Sequence, residues 1–341
     1  MKQIAVVILN WNGCHHLARF LPSVMAHSAL ADIIVADNAS TDNSINYVKH
    51  HYPQIEIIRL EQNYGFAEGY NRALKNLPHP FFVLLNSDVE LTAEWLNPML
   101  VMMETDDRIA AIQPKILSYT HRSYFEYAGA AGGYLDRYGY AFCRGRLFDT
   151  IEKDEGQYDD EREIFWASGC ALFIRSHIYR EAGGLDADLF AHFEEIDLCW
   201  RIKRMGYKVM YNPHSVVYHL GGGTLSAQSS YKTFLNFRNN LAVLYKNTPS
   251  PRIWGILAVR LLADALAGIG YLSKGQIKNC FAIIKAHWRF FLHIRSWHSK
   301  RAKNTPRIQS LTGQYHLSIV KTYFYDKKKY FSLLNQRDHL D

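Results

Sequence analysis

Short apolar runs and longer amphipathic stretches alternate along the first ninety residues of the chain. The apolar runs are rich in Ile and Val, and each is long enough for a strand but too short for a free helix. They occupy residues 4–9, 33–36, 55–60 and 81–85, with helical stretches at residues 16–27, 44–50 and 67–77. Strand–helix–strand alternation at this spacing predicts an α/β fold with a parallel sheet covered by helices on both faces.

The pattern changes in the middle of the chain. The segment 124–162 is rich in Gly, Tyr and Arg and has weak periodicity, which predicts loops and short strands over the sheet. The later pattern predicts, in chain order, a strand, a short helix, a longer helix and two short strands at residues 164–174, 178–182, 194–205, 207–211 and 216–218.

Polar side chains follow each of the four early apolar runs. Ligands of such sheets bind at the carboxyl ends of the strands, so these side chains are candidates for binding. They lie in the segments 10–13, 37–42, 63–66 and 86–88. For any single segment, a turn or a helix cap is at least as good an interpretation. Four segments on one edge are harder to explain in that way, because turns need no shared chemistry.

Charge divides the chain into two parts. The 341 residues carry a net charge of +7, but residues 251–341 contain 16 Lys and Arg against 4 Asp, which leaves the earlier part at −5. This asymmetry predicts a boundary near Pro249, with one α/β domain over residues 1–248 and a basic helical region over residues 249–341. No nucleic-acid-binding motif accompanies the basic region, so we expect no nucleic-acid partner.

Cysteine usage and motif searches narrow the class of protein. The five cysteines include no Cys-x-x-Cys pair, which favours reduced thiols in a cytoplasmic protein over a disulfide framework. The first apolar run lacks a cleavage site, so we interpret it as a buried strand and not as a signal peptide. The chain contains no G-x-G-x-x-G, no Walker A motif and no G-x-S-x-G elbow, so dehydrogenase, P-loop and α/β-hydrolase functions are unsupported.

Two residues at predicted strand ends are candidate metal ligands. Asp88 follows an apolar strand with Asn86 two residues before it, and a carboxylate in that position either binds a divalent cation or makes a turn. His219 follows another short strand and precedes Gly221 and two further glycines. A histidine there is either a satisfied polar residue or a ligand beside a mobile loop.

An acidic run at the start of a predicted helix contains the candidate base. Glu194, Glu195 and Asp197 lie where the helix dipole favours negative charge, which explains part of the pattern. Asp197 and Arg201 are four residues apart and can form a structural pair. The two glutamates point about 100° apart, so only one of them can face a reacting atom. A carboxyl group near an apolar wall such as Trp166 has a raised pKa and suits a general base.

The ordered set of these segments resembles glycosyltransferase family 2, which has the GT-A fold. The resemblance extends from about Ile4 to Thr224 and is closest to the rhamnosyltransferase-like branch that builds bacterial surface polysaccharides. The segments that carry it are 7–13, 37–42, 63–71, 84–88, 169–171, 193–201 and 217–219. The resemblance implies a Rossmann-like mixed sheet with helices on both faces.

The family pattern also implies roles for individual residues. Asp88 matches the last carboxylate of the D-x-D motif, whose first Asp is replaced here by Asn86, and His219 matches the second protein ligand of Mg²⁺ or Mn²⁺. Glu195 matches the catalytic base, with Glu194 as the alternative, and Trp166 would lie beside the acceptor. The residues implied in binding the donor nucleotide are Asn10, Asp37, Ser40, Gly65, Asn71, Asn86 and Ser87.

The implied activity is inverting transfer of a sugar, with L-rhamnose as one candidate, from a nucleotide-diphosphate donor to a glycan or polyprenyl-linked acceptor. The alternative is a nucleotide-sugar or carbohydrate-binding protein without transfer activity. Release of nucleoside diphosphate only when acceptor is present would separate the two. A nucleotidyltransferase is disfavoured, because Asn10 to Gly13 stand where its Gly-rich basic loop would be.

The basic region has two apolar stretches. Residues 253–272 include Arg260 and Asp264, which a spanning helix rarely carries, and residues 281–297 mix aromatic with basic side chains. This composition favours helices that lie in a membrane interface, peripheral on the inner face of the cell membrane. The alternative is a pair of helices packed on the catalytic domain with a solvated basic face.

Overall fold

The computed structural model describes residues 2–221, 229–248, 252–301 and 311–334. Its strands are β1 Ile4–Asn10, β2 Ala31–Asp37, β3 Glu56–Arg59, β4 Phe81–Asn86, β5 Val89–Leu91, β6 Ile109–Ser118, β7 Gly133–Asp136, β8 Ala141–Cys143, β9 Arg146–Leu147, β10 Thr150–Ile151, β11 Arg162–Glu163, β12 Ala171–Arg175, β13 Lys208–His219 and β14 Gln314–Tyr315.

Eleven α-helices lie within the described ranges, together with two 3₁₀ turns at Ala187–Leu189 and Phe331–Leu333. The helices are α1 Cys14–His27, α2 Ser44–His51, α3 Gly65–Leu74, α4 Asn97–Thr105, α5 Ser176–Glu181, α6 Glu194–Arg204, α7 Ser230–Asn247, α8 Ile253–Ser273, α9 Ile277–Leu292, α10 Ile294–Ser299 and α11 Ile319–Phe324.

The main sheet is mixed. Its strand order is β11-β13-β6-β12-β4-β1-β2-β3, and β5 pairs with β13. The first four strands in the sequence pair in parallel, whereas β12 runs antiparallel to both β4 and β6. The parallel part predicted from the first ninety residues is therefore confirmed, and β12 makes the complete sheet mixed, as the family pattern implied.

Helices cover both faces of this sheet because the central strands are apolar on both sides. Along β1, Ala5 and Val7 belong to one hydrophobic cluster with the α3 residue Tyr70. The intervening residues Ile4, Val6 and Ile8 pack in a second cluster with side chains of α1 and α4. Alternate side chains of a strand point to opposite faces, so one continuous apolar run supplies two cores.

Three predicted strands differ from the structure. Within the segment 164–174 only residues 171–174 belong to a strand, β12, because Ile164 donates its N–H to the Val209 carbonyl and Phe165 donates to the Gly133 carbonyl, away from the β12 ladder. The two short strands at residues 207–211 and 216–218 are one strand, β13, whose register shifts between Asn212 and Val216. Pro213 lies at this irregularity, where its missing N–H is tolerated.

A second sheet of five strands, in the order β10-β9-β8-β7-β14, confirms the short strands predicted within residues 124–162. Its edge strand β14 comes from the C-terminal part of the chain, and Phe331 packs against Tyr134 and Phe142. The C-terminal region therefore contributes a strand as well as helices. The domain boundary near Pro249 stays a prediction, and residues 249–251 lie outside the described ranges.

The helix α8 has its charged residues on the inside. Arg260 and Asp264 are almost fully buried, while Leu262, Leu266 and Ile269 are each more than 60% exposed. Among the helices described, α8 is the one that is long and apolar enough to cross a membrane by length and composition, although it carries these two charges.

Candidate active site at the carboxyl edge of the sheet

The predicted convergence of polar residues on one sheet edge is confirmed. Asn10 at the end of β1 is the register partner of Asp37 at the end of β2. On the other side of β1, Leu9 pairs with Asn86, which ends β4. The parallel register thus brings three of the four predicted polar segments to neighbouring positions.

Asn10 connects the first two of these segments. Its Nδ2 donates to Asp37 Oδ1 at 3.2 Å and to Ser40 Oγ at 3.1 Å, and the Ser40 N–H donates to Asp37 Oδ2 at 3.1 Å. The Asn10 Oδ1 is buried and has no hydrogen-bond partner within the described ranges. A Cβ atom on Gly13 would lie 2.5 Å from that oxygen and 3.7 Å from Ser87 Oγ, so Asn10, Gly13 and Ser87 meet at this point.

The third segment is held by Asn38. Its amide nitrogen donates to Asn63 Oδ1 and to the Gly65 carbonyl, both at 3.0 Å, and its oxygen accepts from the Tyr64 N–H at 2.9 Å. Gly65 has a φ of +75°, and a Cβ atom there would lie 2.5 Å from the ring of Phe190. Only glycine combines this backbone conformation with this close contact.

Asn71 has a different environment from the other predicted donor-binding residues. Its amide donates to the Leu185 carbonyl at 2.7 Å and accepts from the Leu185 N–H at 2.9 Å and the Tyr179 hydroxyl at 2.7 Å. These bonds anchor the turn that precedes the acidic segment. The predicted proximity of Asn71 to the nucleotide stays a prediction.

Asp88 and His219 face each other at the end of β4 and β13. The Nε2 of His219 lies 3.2 Å from Asp88 Oδ1, and its Nδ1 lies 3.4 Å from Glu126 Oε2. All three side chains are buried. The strand β5, which directly follows Asp88, pairs Val89 with His219, and this pairing brings the two predicted ligands together.

The charges of this group stabilise one another. Burial raises the pKa of Asp88, but the hydrogen bond and charge of His219, together with the charge of His16, outweigh it and the pKa lies below its ordinary value. Burial lowers the pKa of His219, but Cys170, Glu126 and Asp88 outweigh it and raise the pKa well above the ordinary value. A neutral imidazole is the form that binds a metal, so a cation at this site has to displace a proton from His219.

The spacing and arrangement of these side chains suit a divalent cation. Adjacent ligands of an octahedral Mg²⁺ with bonds of about 2.1 Å lie about 3.0 Å apart, close to the 3.2 Å between His219 and Asp88. Glu126 lies behind the imidazole, as the carboxylate does in many metal-binding histidine sites. Within the described ranges, no three His, Cys, Asp or Glu residues converge on one metal position, so further ligands would have to come from the donor phosphates or water.

Sequence reasoning missed Glu126. It lies in the segment 124–162, where neither periodicity nor a motif marks it, and it reaches His219 through the tertiary fold alone. Gly221 is adjacent, since a Cβ atom there would lie 3.0 Å from Glu126 Oε1. The next two glycines of the predicted mobile loop, 222 and 223, lie outside the described ranges.

The two glutamates of the acidic run begin α6 and are both shielded from solvent. The Oε2 atoms of Glu194 and Glu195 are buried without a hydrogen-bond partner in the described part of the chain. Burial raises the pKa of Glu195 to about 7. Burial, together with the charge of Glu195, raises the pKa of Glu194 well above its ordinary value. At neutral pH the pair therefore shares about one negative charge at most.

Glu195 lies beside the sheet edge. A Cβ atom on Gly169 would lie 3.8 Å from the Cβ of Glu195 and 3.2 Å from the ring of Phe66. The next residue, Cys170, accepts a hydrogen bond from the Asn86 N–H at 2.9 Å. The absence of a side chain at Gly169 thus allows Glu195 to lie close to the residue that precedes Cys170.

The segment before α6 has an unusual backbone. Phe190, His192 and Phe193 have φ angles of +65°, +68° and +72°, a conformation that costs about 1–3 kcal/mol for each such residue. The buried Asn239 of α7 holds this segment, because its Nδ2 lies within 2.9 Å of the carbonyl oxygens of Leu189, Ala191 and His192. Sequence reasoning missed Asn239, since a polar residue in an amphipathic helix gives no sign of its partner.

The remaining predicted residues have structural contacts. Asp197 accepts from Arg201 at 2.9 Å, which confirms the predicted pair, and Lys246 lies 2.9 Å from its other oxygen. Burial opposes ionisation, but these two cations outweigh it and lower the pKa of Asp197 to about 2. Trp166 is 4% exposed, and its indole N–H donates to the Tyr134 carbonyl at 3.0 Å. The predicted position of Trp166 beside an acceptor stays a prediction.

The mixed α/β sheet, with polar strand ends gathered at its carboxyl edge, agrees with the GT-A fold that the family pattern implied. The sequence model of Glycosyl transferase family 2 matches residues 5–179, just over half of the chain. The chain therefore belongs to glycosyltransferase family 2.

Relatives and solved structures agree with this assignment. An N-acetylglucosaminyl-diphospho-decaprenol L-rhamnosyltransferase of Mycobacterium tuberculosis is 24% identical over 231 residues, which cover 63% of this chain and 75% of that protein. The TarS fragment of S. aureus in complex with UDP-GlcNAc has a TM-score of 0.57 at 14% identity and covers 88% of this chain and 84% of its own. A mannosyltransferase from Pyrobaculum calidifontis in complex with GDP-Man and Mn²⁺ has a TM-score of 0.52 at 13% identity, covering 88% and 84%. These structures confirm the fold.

Proposed function

We propose that the protein is an inverting, metal-dependent glycosyltransferase that moves a sugar from a nucleotide-diphosphate donor to a hydroxyl group of a glycan or lipid-linked acceptor. One observation carries the proposal. The sheet edge that holds the Asp88–His219 pair also has, across Gly169, a buried carboxyl group with a pKa of about 7. This arrangement supports a single-displacement transfer in which the cation and the base act from the same edge of the sheet.

The donor nucleotide binds, in this proposal, along the ends of β1, β2 and β4. The unpartnered Oδ1 of Asn10 and the side chains of Asp37 and Ser40 offer hydrogen-bond acceptors for base and ribose, and Ser87 lies close to them. The sharp backbone turn at Gly65 and the strand end at Asn86 complete the predicted surface.

Asp88 and His219 would hold Mg²⁺ or Mn²⁺, with Glu126 fixing the orientation of the imidazole. When bound, the cation supplies positive charge that stabilises the diphosphate leaving group. The mannosyltransferase complex with GDP-Man and Mn²⁺ supports this choice of cation, since it has the same fold. Because Asn86 replaces the first carboxylate of the D-x-D motif, Asp88 is the sole carboxylate ligand proposed from that strand end.

Glu195 would act as the general base. With a pKa of about 7 it is substantially ionised at neutral pH, and its burial keeps it basic enough to accept the proton of an acceptor hydroxyl. The acceptor oxygen attacks the anomeric carbon as the bond to the diphosphate breaks, and the proton passes to Glu195. A single displacement of this kind inverts the configuration at that carbon. Burial and the charge of Glu195 raise the pKa of Glu194, which favours the protonated form of Glu194 beside the base.

The proposed acceptor is carried on a polyprenyl lipid at the inner face of the cell membrane. The name of the M. tuberculosis relative supports a lipid-linked acceptor and L-rhamnose as the first sugar to test. The apolar outer face of α8 supports contact with a bilayer, because its charged residues point inward.

Two measurements test the proposal. Nucleotide-sugars, dTDP-rhamnose among them, are screened by thermal shift with Mn²⁺, since a donor that binds the folded state raises the melting temperature. The stabilising donor is then incubated with a lipid-linked sugar acceptor, and released nucleoside diphosphate is measured. We expect release only with acceptor and Mn²⁺. Donor binding without any acceptor-dependent release would favour the alternative, a non-catalytic nucleotide-sugar-binding protein.

A further inference from the structure

A groove of about 530 Å³ lies between α7, α9 and α10, next to the acidic segment but outside the residues assigned above. Its basic side chains are Arg238, Lys285, Arg289 and His293. The aromatic rings of Phe234 and Trp297 also line it. Four basic side chains around one cavity favour an anionic ligand.

The charge of the groove is not neutralised from within. Its one acidic residue, Asp188, accepts from Lys300 at 2.7 Å, a cation outside the groove lining. Within the described ranges, neither Lys285 nor Arg289 forms an ion pair, although both project from α9 towards the groove. The Lys285 ammonium and the Arg238 guanidinium lie 5.4 and 5.3 Å from the centre of the Phe234 ring. This contact positions the two cationic groups but leaves their charge unneutralised.

An apolar surface adjoins the basic groove on the same helix. Phe281, Ile284 and Trp288 on the outer face of α9 are each more than half exposed. They alternate along α9 with Lys285 and Arg289. A ligand with an anionic head and a hydrocarbon tail matches this neighbourhood, whereas a free sugar or nucleotide would leave the apolar part unused.

Asp188, which lines the groove, lies two residues before the strained segment that leads to the proposed base. Arg238 donates to the carbonyl oxygens of Asp188 and Leu189 at 3.1 and 3.0 Å. The adjacent Asn239 holds the following carbonyls up to His192. A head group bound by Arg238 would therefore lie only a few residues along the chain from Glu195.

We propose that this groove binds the diphosphate of a lipid-linked acceptor and that its hydrocarbon chain runs over the exposed face of α9. This inference rests on the proposed transfer to a lipid-linked acceptor, for which it names the binding site of the head group. Arg238, Lys285 and Arg289 supply the cationic contacts, and the acceptor sugar extends from the diphosphate towards Glu195.

The test uses the full chain, in detergent for the soluble ligands and without detergent for the vesicles, and measures binding, not turnover. Farnesyl diphosphate, inorganic pyrophosphate, farnesol and phosphatidylglycerol vesicles are titrated against the wild type and the Lys285→Ala/Arg289→Ala variant by calorimetry. Both side chains are exposed, so the variant is expected to fold. We expect the variant to bind farnesyl diphosphate about tenfold more weakly, because two charge-assisted contacts are lost. Pyrophosphate should bind the wild type less tightly than farnesyl diphosphate does.

The matched control is Lys278→Ala/Arg295→Ala, which removes the same charge from exposed positions outside the groove. It should bind farnesyl diphosphate as the wild type does. Equal binding of farnesyl diphosphate by wild type and groove variant would overturn the proposal. An equal loss for phosphatidylglycerol vesicles would also overturn it, since that result marks a general anionic-lipid surface.

Donor binding separates this inference from the proposed function. The groove variant should retain the thermal shift produced by the nucleotide-sugar, because Lys285 and Arg289 lie outside the proposed donor site. If the groove variant keeps donor binding, turnover and farnesyl diphosphate affinity, the proposed head-group site is wrong but the proposed function is unaffected. Absence of transfer in the wild type would remove the proposed function, while the binding measurement would still stand.

Discussion

Before their polar ends, the central strands β1 and β4 bury apolar side chains alone, whereas the helix α8 buries a charged pair beside its apolar residues. In β1 and β4 the buried positions are apolar, and polar atoms appear only where the strands end. In α8 the buried side includes Arg260, which donates to the Tyr138 carbonyl, and Asp264, which pairs with His287, while Leu262 and Leu266 face outward. In the sequence, the central strands and α8 are both largely apolar segments.

The difference shows that an apolar segment does not identify its own environment. For β1 the environment is the protein interior, and burial of its side chains stabilises the fold by about 25 cal/mol per Å². For α8 the same kind of side chain remains exposed, so its hydrophobic free energy is available for binding another apolar phase. The following predictions test this contrast between a sheet edge built for chemistry and a helical surface built for contact.

The largest effect is expected at Glu195. Glu195→Gln should lower kcat about 1,000-fold, because the proton acceptor is lost, and should leave donor affinity within about twofold. Glu194→Gln is the matched control. Glutamine mimics a protonated glutamate, so this variant should lose less than about tenfold. Steady-state kinetics and donor calorimetry measure both, and the reverse pattern would assign the base to Glu194.

Asp88 and Glu126 should differ in a graded way. Asp88→Asn should weaken Mn²⁺-dependent donor binding about 100-fold, since it removes the carboxylate ligand, and Glu126→Gln about tenfold, since it loosens only the imidazole. Calorimetry with and without Mn²⁺ gives both values. Asp107→Asn, at a fully exposed position, is the control and should bind as the wild type. Equal donor binding with and without metal in the wild type would remove the metal role.

The outer face of α8 should control membrane contact without affecting chemistry. Leu262→Glu/Leu266→Glu should lower partitioning into anionic vesicles about 100-fold, because burial of each leucine contributes about 1.5–3 kcal/mol. Vesicle co-sedimentation measures this. Leu30→Glu, at an exposed leucine near β2, should partition as the wild type. Retention of vesicle binding by the α8 variant would show that its apolar face packs on something other than lipid.

The pH dependence follows from the raised pKa of Glu195. The reactive form is the carboxylate, so activity should be lost as the pH falls through about 7 and present above it. Between pH 7 and pH 6 the ionised fraction falls from about one half to one tenth, so kcat should drop about fivefold. The residual activity of Glu195→Gln should not show this step. A flat profile from pH 6 to 8 in the wild type would contradict the assignment.

The smallest effect is expected at Asn239. Asn239→Leu removes the bonds that hold the strained segment and should lower kcat several-fold with donor affinity unchanged, together with a thermal midpoint lower by a few degrees. Asn240→Leu is the matched control, because Asn240 donates to the Gly139 carbonyl at 2.8 Å and not to this segment. It should show a similar thermal loss with kcat preserved. If Asn239→Leu and Asn240→Leu lose the same kcat, the Asn239 contact contributes to stability and not to catalysis.

Local patterns predicted the elements and the sheet edge. The short apolar runs determined the parallel strands, and parallel strands necessarily align their carboxyl ends, which is why Asn10, Asp37 and Asn86 were found together. The spacing of Asp197 and Arg201 predicted their pair, since helical geometry fixes positions four apart. These contacts were predictable because they depend on residues a few positions apart in the sequence or on the parallel direction of neighbouring strands.

Contacts between distant segments were not predictable in this way. Glu126 reaches His219 and Asn239 reaches the segment before α6 only because the tertiary fold brings them there. Trp166 was placed at the acceptor by family pattern, but the close approach of Gly133 draws its ring into the core. The inward direction of Arg260 and Asp264 likewise depends on partners in α9 and the second sheet.

The left-handed backbone of Phe190, His192 and Phe193 affects how this protein would respond to selection for stability. A chain selected for stability alone would carry Gly or Asn at such positions, where a left-handed backbone is cheaper. Laboratory evolution towards heat resistance should therefore find substitutions here early. Those substitutions should also slow the enzyme, because they loosen the attachment of Glu195. The segment is where heat tolerance and catalytic speed are expected to compete within this protein.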